Sequence, residues 1–206
     1  MGLCCSKPAR PEHQGAWSSA VAEQVAAGLL LTVDLGGTTM QGGAKEAAEF
    51  VKAFGSAQCR VRGALGMQGM ALSEAGGAVM VGEMLQGNRT LTSIDLSINS
   101  LGEVGGAAIG AALTGNTTLT SIDLSINNLG EVGGAAIGAA LTGNTTLTSI
   151  DLSMNKLGEV AGATLAEALT VNTTLTSIDL DANDALPAAT RTAIEAAVAR
   201  NKAAAE

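Results

Sequence analysis

The chain has 206 residues, of which 47% are hydrophobic, and a formal net charge of −8. It contains 27 glycines but only one Trp, two Phe and no Tyr, so its core must be built from small and branched aliphatic side chains. The acidic charge argues against nucleic-acid binding, which needs clustered Lys and Arg to displace the counterions of phosphate. No window approaches the roughly 18 uninterrupted apolar residues of a transmembrane helix.

The first residues, Met-Gly-Leu-Cys-Cys-Ser, form a pattern typical of lipid-modified proteins. Gly2 would carry a myristoyl group, with Ser6 at the position where substrates of this modification carry Ser or Thr. One myristoyl chain holds a protein on a bilayer only marginally, so stable attachment needs a second signal. Palmitoyl thioesters on Cys4 and Cys5 would provide it. The alternative is that these residues are ordinary thiols behind a chance Met-Gly start.

Three segments are predicted before the regular part of the chain. Residues 1–15, with prolines and mixed polar residues, are predicted to form the acylated anchor and a flexible tether. Residues 16–30 carry apolar residues every four positions and are predicted to form an N-terminal capping helix. Residues 31–87 are predicted to hold degenerate repeats, because apolar residues fit strand positions twice: Val33 with Leu35, and Leu65 with Met67.

A tandem repeat of 28 residues follows over 88–171. Residues 92–119 and 120–147 differ only by Ser100 in place of Asn128, and 148–175 is a more diverged copy. In each unit the apolar spacing changes from that of a short strand to that of a helix. Such a unit cannot bury its own apolar face, so neighbouring units must stack. Residues 172–206 are predicted to form the C-terminal repeat and a cap, with Ile194 and Val198 facing the core.

The segment LTSIDLSIN resembles the L-x-x-L-x-L-x-x-N signature of leucine-rich repeats, and the 28-residue period with its glycines resembles the ribonuclease-inhibitor type. The resemblance implies an α/β solenoid with parallel strands on the concave side and helices on the convex side. About six repeats are expected, the first two degenerate. The resemblance also implies that the recurring Asn is buried and hydrogen-bonded to the backbone of adjacent turns. The residues with this structural role would be Asn99, Asn127, Asn155 and Asn183.

An acidic column is predicted on the concave face, because adjacent parallel strands lie about 4.8 Å apart. It consists of Asp95, Asp123, Asp151 and Asp179, flanked by Ser93, Ser121 and Ser149. One interpretation is a docking strip for a basic protein segment or for cations, with Asp34 as a possible extension. The other is that recent duplication copied one solvated Asp. The segment 88–199 has eleven acidic residues against three basic ones.

Motifs for catalysis and cofactor binding are weak. The stretch VDLGGTT at residues 33–39 resembles a phosphate-binding loop of sugar kinases, but a repeat strand with its turn is the favoured interpretation, because the chain is too short for a two-lobed kinase and VDL aligns with the IDL of the repeats. His13 is the only histidine and lies in the tether, so no histidine-based relay or metal site is predicted. Four Asn-x-Thr sequons at Asn88, Asn116, Asn144 and Asn172 are interpreted as repeat turns. No catalytic residue, metal or cofactor is therefore expected.

These observations favour a non-enzymatic, lipid-anchored interaction module or scaffold of a eukaryotic cell. We expect it to be peripheral on the cytoplasmic face of the plasma membrane or an endomembrane, with a basic protein partner and no nucleic acid. The alternative hypothesis is a regulator of a small GTPase, because the activating protein for Ran has repeats of this type. That alternative rests on fold analogy alone, and nothing in the sequence sets the oligomeric state.

Overall fold

A computed structural model describes residues 33–34, 63–69, 72 and 77–206 of the chain. The predicted anchor and tether, the predicted capping helix and most of the predicted degenerate repeats lie outside the described residues. Within the described part, no helix is long and apolar enough to cross a membrane.

Strands and helices alternate through the described residues. The strands are β1 (Val33–Asp34), β2 (Gly63–Gly66), β3 (Leu91–Asp95), β4 (Ser121–Asp123), β5 (Ser149–Asp151) and β6 (Ser177–Asp179). The helices are α1 (Gly77–Gly87), α2 (Gly102–Gly115), α3 (Gly130–Leu141), α4 (Glu159–Val171) and α5 (Ala188–Ala205).

The described strands form one parallel sheet in the order β1-β2-β3-β4-β5-β6. From β3 onward each strand pairs with the next in a register of one repeat, so that Ile94 faces Ile122 and Ile122 faces Ile150. From β2 onward each strand is followed by a helix on the same side of the sheet, as parallel connections require. The predicted α/β leucine-rich-repeat solenoid is confirmed.

The core lies between the sheet and the helices. In the repeat that contains β4, the strand segment contributes Leu119, Ile122 and Leu124, and α3 contributes Ile137 and Leu141, all of them buried. The same positions are buried in the neighbouring repeats, so the core is one continuous layer of Leu and Ile. This agrees with the strand-to-helix change of spacing read from the sequence.

Glycine lets the helices approach closely. A Cβ built on Gly106 of α2 would lie 2.5 Å from the Cα of Gly133 in α3, and one on Gly110 would lie 2.7 Å from the backbone of Ala136. Glycine disfavours a helix by up to about 1 kcal/mol relative to Ala. These helices therefore depend on packing against their neighbours rather than on intrinsic helix propensity.

Helix α5 closes the C-terminal end of the solenoid. It begins after Pro187, and its buried residues are Ile194, Val198 and Asn201. The Arg200 guanidinium donates a hydrogen bond of 2.8 Å to the carbonyl oxygen of Leu169, near the end of α4.

The close helix contact generates a stability prediction. Gly106→Ala should lower the free energy of unfolding by about 1–3 kcal/mol, because the added methyl group meets the backbone of Gly133 rather than a flexible side chain. Urea unfolding followed by circular dichroism measures this.

The matched control is Gly115→Ala, where nothing lies within 4 Å of the added Cβ. It should leave stability unchanged or raise it. Equal unfolding midpoints for the two variants would contradict close packing between α2 and α3.

Candidate binding surface

The four predicted Asp residues end four consecutive strands and stand in register. Asp95 pairs with Asp123, Asp123 with Asp151, and Asp151 with Asp179. The first three are half-buried and Asp179 is exposed. The structure thus brings the whole predicted column together on the strand face.

Each carboxylate of the column also closes a turn at the end of its strand. Asp123 Oδ1 accepts hydrogen bonds from the Ser125 backbone N–H at 2.9 Å and from Ser125 Oγ at 2.7 Å. The other three carboxylates also accept a hydrogen bond from the backbone N–H of the residue two positions later: Asp95, Asp151 and Asp179. One oxygen of each carboxylate is thus held by a turn, and the four carboxylates are in addition half-buried or exposed.

Negative charge is disfavoured at Asp123. Burial raises the pKa of the Asp123 carboxyl above its ordinary 3.8, and the charges of Asp151 and Asp95 raise it further, against the lowering effect of the hydrogen bonds from Ser125. Because the folded state holds this proton more tightly than the unfolded state, the contribution of Asp123 to stability is present below pH 3.8 and is lost as the pH rises from there through the raised pKa of the folded state. A cation beside Asp123 would relieve this unfavourable charge.

The column does not continue without a break to Asp34. Gly66 of β2 lies between them, paired with Asp34 on one side and with Asp95 on the other. The flanking serines are in register as well, since Ser93 pairs with Ser121 and Ser121 with Ser149. The predicted strip is thus a row of four Asp beside a row of Ser.

The predicted Asn ladder is buried and bonded between repeats. Asn127 has an exposed fraction of 0%. Its Nδ2 donates to the carbonyl oxygens of Leu96 at 2.9 Å, Leu124 at 2.9 Å and Ser125 at 3.1 Å. Its Oδ1 accepts the N–H of Asn99 at 3.0 Å. Equivalent bonds are made by the other ladder residues: Asn99, Asn155 and Asn183.

A second Asn ladder at the strand starts was missed by the sequence analysis. Asn116 Nδ2 donates to the carbonyl oxygen of Leu85 in the preceding repeat at 2.9 Å, and its Oδ1 accepts the N–H groups of Thr118 and Leu119. The sequon asparagines that are buried in this way are Asn88, Asn116, Asn144 and Asn172. The available signal was their strict recurrence ahead of a buried Leu, which indicates a side chain that caps the strand entry.

An exposed apolar surface was also missed. Among the described residues eight large apolar side chains are exposed, and six of them lie between a strand end and the first turn of the following helix. We call these six the apolar edge: Ile98, Ile126, Met154, Val104, Val132 and Val160.

Three residues of the apolar edge have an unusual backbone. Ile98, Ile126 and Met154 have φ values of 59°, 58° and 55°. This left-handed conformation costs a residue with a Cβ about 1–2 kcal/mol, and β-branched residues rarely adopt it. The local sequence does not predict this conformation, since Gly or Asn is the residue that usually adopts it.

Metal binding has no support in the described ranges, where no three His, Cys, Asp or Glu side chains are placed to share an ion. The predicted lipidation residues Gly2, Cys4 and Cys5 lie outside the described residues.

Comparisons agree with this architecture. Residues 87–110, 115–138 and 143–166 each match the family model described as leucine-rich repeat. A structure of leiomodin-1 actin-binding site 2 is similar over 89% of this chain and 88% of that one, with a TM-score of 0.60 and 20% identity. The tropomodulin C-terminal domain of Caenorhabditis elegans covers 79% of this chain and 95% of its own, with a TM-score of 0.62 and 9% identity. No curated protein matches the sequence. At these identities the similar structures show the fold alone.

The buried ladder gives a direct stability prediction. Asn127→Ala should lower the free energy of unfolding by about 3 kcal/mol or more, because several buried backbone groups each lose a partner at about 1–3 kcal/mol. Urea melts of the purified variant measure the change.

Asn128→Ala is the control, since it makes the same chemical change at the adjacent, exposed position. It should lose no more than about 1 kcal/mol, from its left-handed backbone. If both variants unfold at the same urea concentration, the ladder does not hold the repeats together.

Proposed function

We propose that the chain is a non-enzymatic protein-interaction module that binds a basic segment of a partner protein along the Asp column. The observation that carries this proposal is the register of four carboxylates on consecutive strands. Leucine-rich-repeat folds present such strand faces to partners, and the net charge of −8 favours a cationic one.

The chemistry of the column suits Lys and Arg side chains. Carboxylates spaced by about 4.8 Å repel one another, so each gains from a cation placed between neighbours. Oδ1 is already held by the turn, which fixes the orientation of the carboxylate before binding. Preorganised charges of this kind steer association and set specificity more than they raise affinity.

The test uses a flexible Lys-Gly peptide as the probe, followed by fluorescence anisotropy. Changing all four Asp to Asn keeps the acceptor of each turn and removes the charge. With about 0.2–1 kcal/mol for each exposed pair, the quadruple variant should lose between about fourfold and several hundredfold in affinity, and each single variant only a few-fold.

Salt should weaken binding by the wild type more than binding by the quadruple variant, which has lost half of the net charge of −8, because exposed charges are screened within about 8 Å at physiological ionic strength. Equal affinities of the two proteins at both low and high salt would leave duplication as the explanation of the column.

We also propose that acylation of Gly2, Cys4 and Cys5 holds this module at the cytoplasmic face of a membrane. The support is the sequence motif at the start of the chain. An anionic leaflet would repel the acidic repeats, so they would not provide the attachment themselves. An acidic module therefore needs a covalent anchor to stay at such a surface.

Fractionation of eukaryotic cells that express the full chain tests the anchor. Gly2→Ala should move the protein to the soluble fraction, whereas Cys4→Ser with Cys5→Ser should leave only weak, washable binding. Gly15→Ala in the tether is the control and should stay with membranes. A Gly2→Ala protein that sediments like the wild type would overturn the anchor.

Actin binding is a second candidate, favoured by the similarity to a structure named for an actin-binding site of leiomodin-1. Co-sedimentation with filamentous actin decides it: a wild-type chain that stays in the supernatant excludes this candidate under those conditions. Regulation of a small GTPase keeps its original basis in fold analogy, and a GTP turnover assay tests it.

A further inference from the structure

The apolar edge combines exposure with an unusual backbone. Ile98 and Ile126 are 47% and 39% exposed, so the left-handed conformation at these positions is not compensated by burial within the chain. The same conformation occurs at Ala182 and at Ser100, Asn128 and Lys156, so it belongs to the turn of the repeat, and the feature particular to the apolar edge is the exposure of its side chains. Exposed apolar side chains that recur in adjacent repeats form a patch of the kind that marks an interaction surface.

The two rows of the apolar edge lie on one side of the solenoid. Because the strands are parallel and each strand from β2 to β6 is followed by its helix, the ends of these strands and the starts of these helices share that side. The first row is Ile98, Ile126 and Met154, just after the strands, and the second is Val104, Val132 and Val160, in the first turns of α2, α3 and α4.

The spacing of the first row is fixed by hydrogen bonds between repeats. The Ile98 N–H donates to the carbonyl oxygen of Ser125 at 3.0 Å, and the Ile126 N–H donates to that of Ser153 at 3.1 Å. These bonds continue the pattern of the sheet, so neighbouring apolar side chains follow one another at about 4.8 Å.

An α-helix that lies along this row matches its spacing. Its side chains at i, i+4 and i+7 advance by about 5.4 Å per turn, a mismatch of about 0.6 Å per repeat. An extended strand presents a side chain on one face every 6.4–6.8 Å or so, which misses the next repeat by about 2 Å. The row therefore selects a helix over a strand.

Charge selects among helical occupants. Carboxylates accompany both rows in every repeat: Asp95, Asp123 and Asp151 before the first, and Glu103, Glu131 and Glu159 before the second. Of these, Glu131 also accepts a hydrogen bond from the Ala161 N–H of the next helix. A second copy of this acidic edge or an anionic bilayer would be repelled, whereas a cationic amphipathic helix is complementary in both apolar and charged contacts.

We propose that the apolar edge binds one cationic amphipathic helix of a partner protein, lying along the repeats. Its apolar residues at i, i+4 and i+7 contact Ile98, Ile126 and Met154, and its Lys or Arg residues flank the adjacent carboxylates. This inference rests on the proposed function as an interaction module and specifies the structure of the partner segment.

The test uses two peptides of the same Leu and Lys composition, one amphipathic at helical spacing and one scrambled. Fluorescence anisotropy should show at least about tenfold tighter binding of the amphipathic peptide to the wild type. The triple variant Ile98→Asn, Ile126→Asn and Met154→Asn should lose that advantage. Asn tolerates the left-handed backbone, so the variant is expected to fold.

Val171→Asn is the matched control, because Val171 is an exposed apolar residue at the end of α4, where the helices end. It should bind both peptides as the wild type does. A triple variant that still prefers the amphipathic peptide by the wild-type factor would overturn the inference.

The same proteins separate this inference from the proposed function. If the triple variant binds the Lys-Gly peptide normally but has lost the amphipathic one, both proposals are supported. If only the quadruple Asp variant changes binding, the Asp column stands and the helix site is wrong. Two further results would overturn the inference. If the wild type self-associates in sedimentation velocity and the triple variant does not, the apolar edge binds a second copy. If the wild type binds phosphatidylserine vesicles and the triple variant does not, the apolar edge binds lipid.

Discussion

Hydrogen bonding between equivalent positions of adjacent repeats is the constraint on which this structure depends. A single repeat has too few residues to bury its own apolar face, and its loops carry backbone groups that water would otherwise satisfy. The two Asn ladders provide these backbone groups with hydrogen-bond partners from the neighbouring repeat. Residues such as Asn127 do so at the strand ends, and residues such as Asn116 do so at the strand starts. Because both ladders bridge consecutive repeats, a slip of one repeat against the next would leave both sets of amides unpaired.

The close stack has a consequence for the helices. The fixed strand spacing brings the helices of adjacent repeats so near that the backbone of Gly106 packs directly against the backbone of Gly133, with no room for a side chain between them. Such helices are poor helices by themselves, because glycine loses conformational entropy when it is ordered. Their stability therefore comes from the layer of buried Leu and Ile beneath them and from the neighbouring repeat. Cooperativity along the solenoid follows, since no helix is independent of the next.

The repeat period and the strand positions could be predicted because each leaves a periodic trace in the sequence, whereas the buried role of the first Asn ladder was implied by the resemblance to leucine-rich repeats. The spacing of Ile122 from Leu124 predicts the strand, and the spacing of Ile137 from Leu141 predicts the helix. The second ladder was interpreted as turns, since an Asn before two Thr residues is equally typical of an exposed loop. The turn between Asp123 and Ser125 was missed because alternation indicates which face a residue occupies and not what its side chain bonds to. The left-handed backbone at Ile126 runs against local propensity, so only tertiary structure reveals it.

Near-identity of the repeats turns every surface feature into a row. A single exposed Ile or Asp would offer a partner little, but the same residue on consecutive repeats offers contacts at a fixed period. The period is set by the backbone, at about 4.8 Å, and not by the side chains. A rigid partner that packs on several repeats at once must therefore present its own contacts at a similar period, which a helix with about 5.4 Å per turn approaches more closely than a strand with about 6.4–6.8 Å between side chains on one face. Selectivity in such a surface lies in spacing and charge sign, since the surface has little side-chain diversity from which to build a unique pocket.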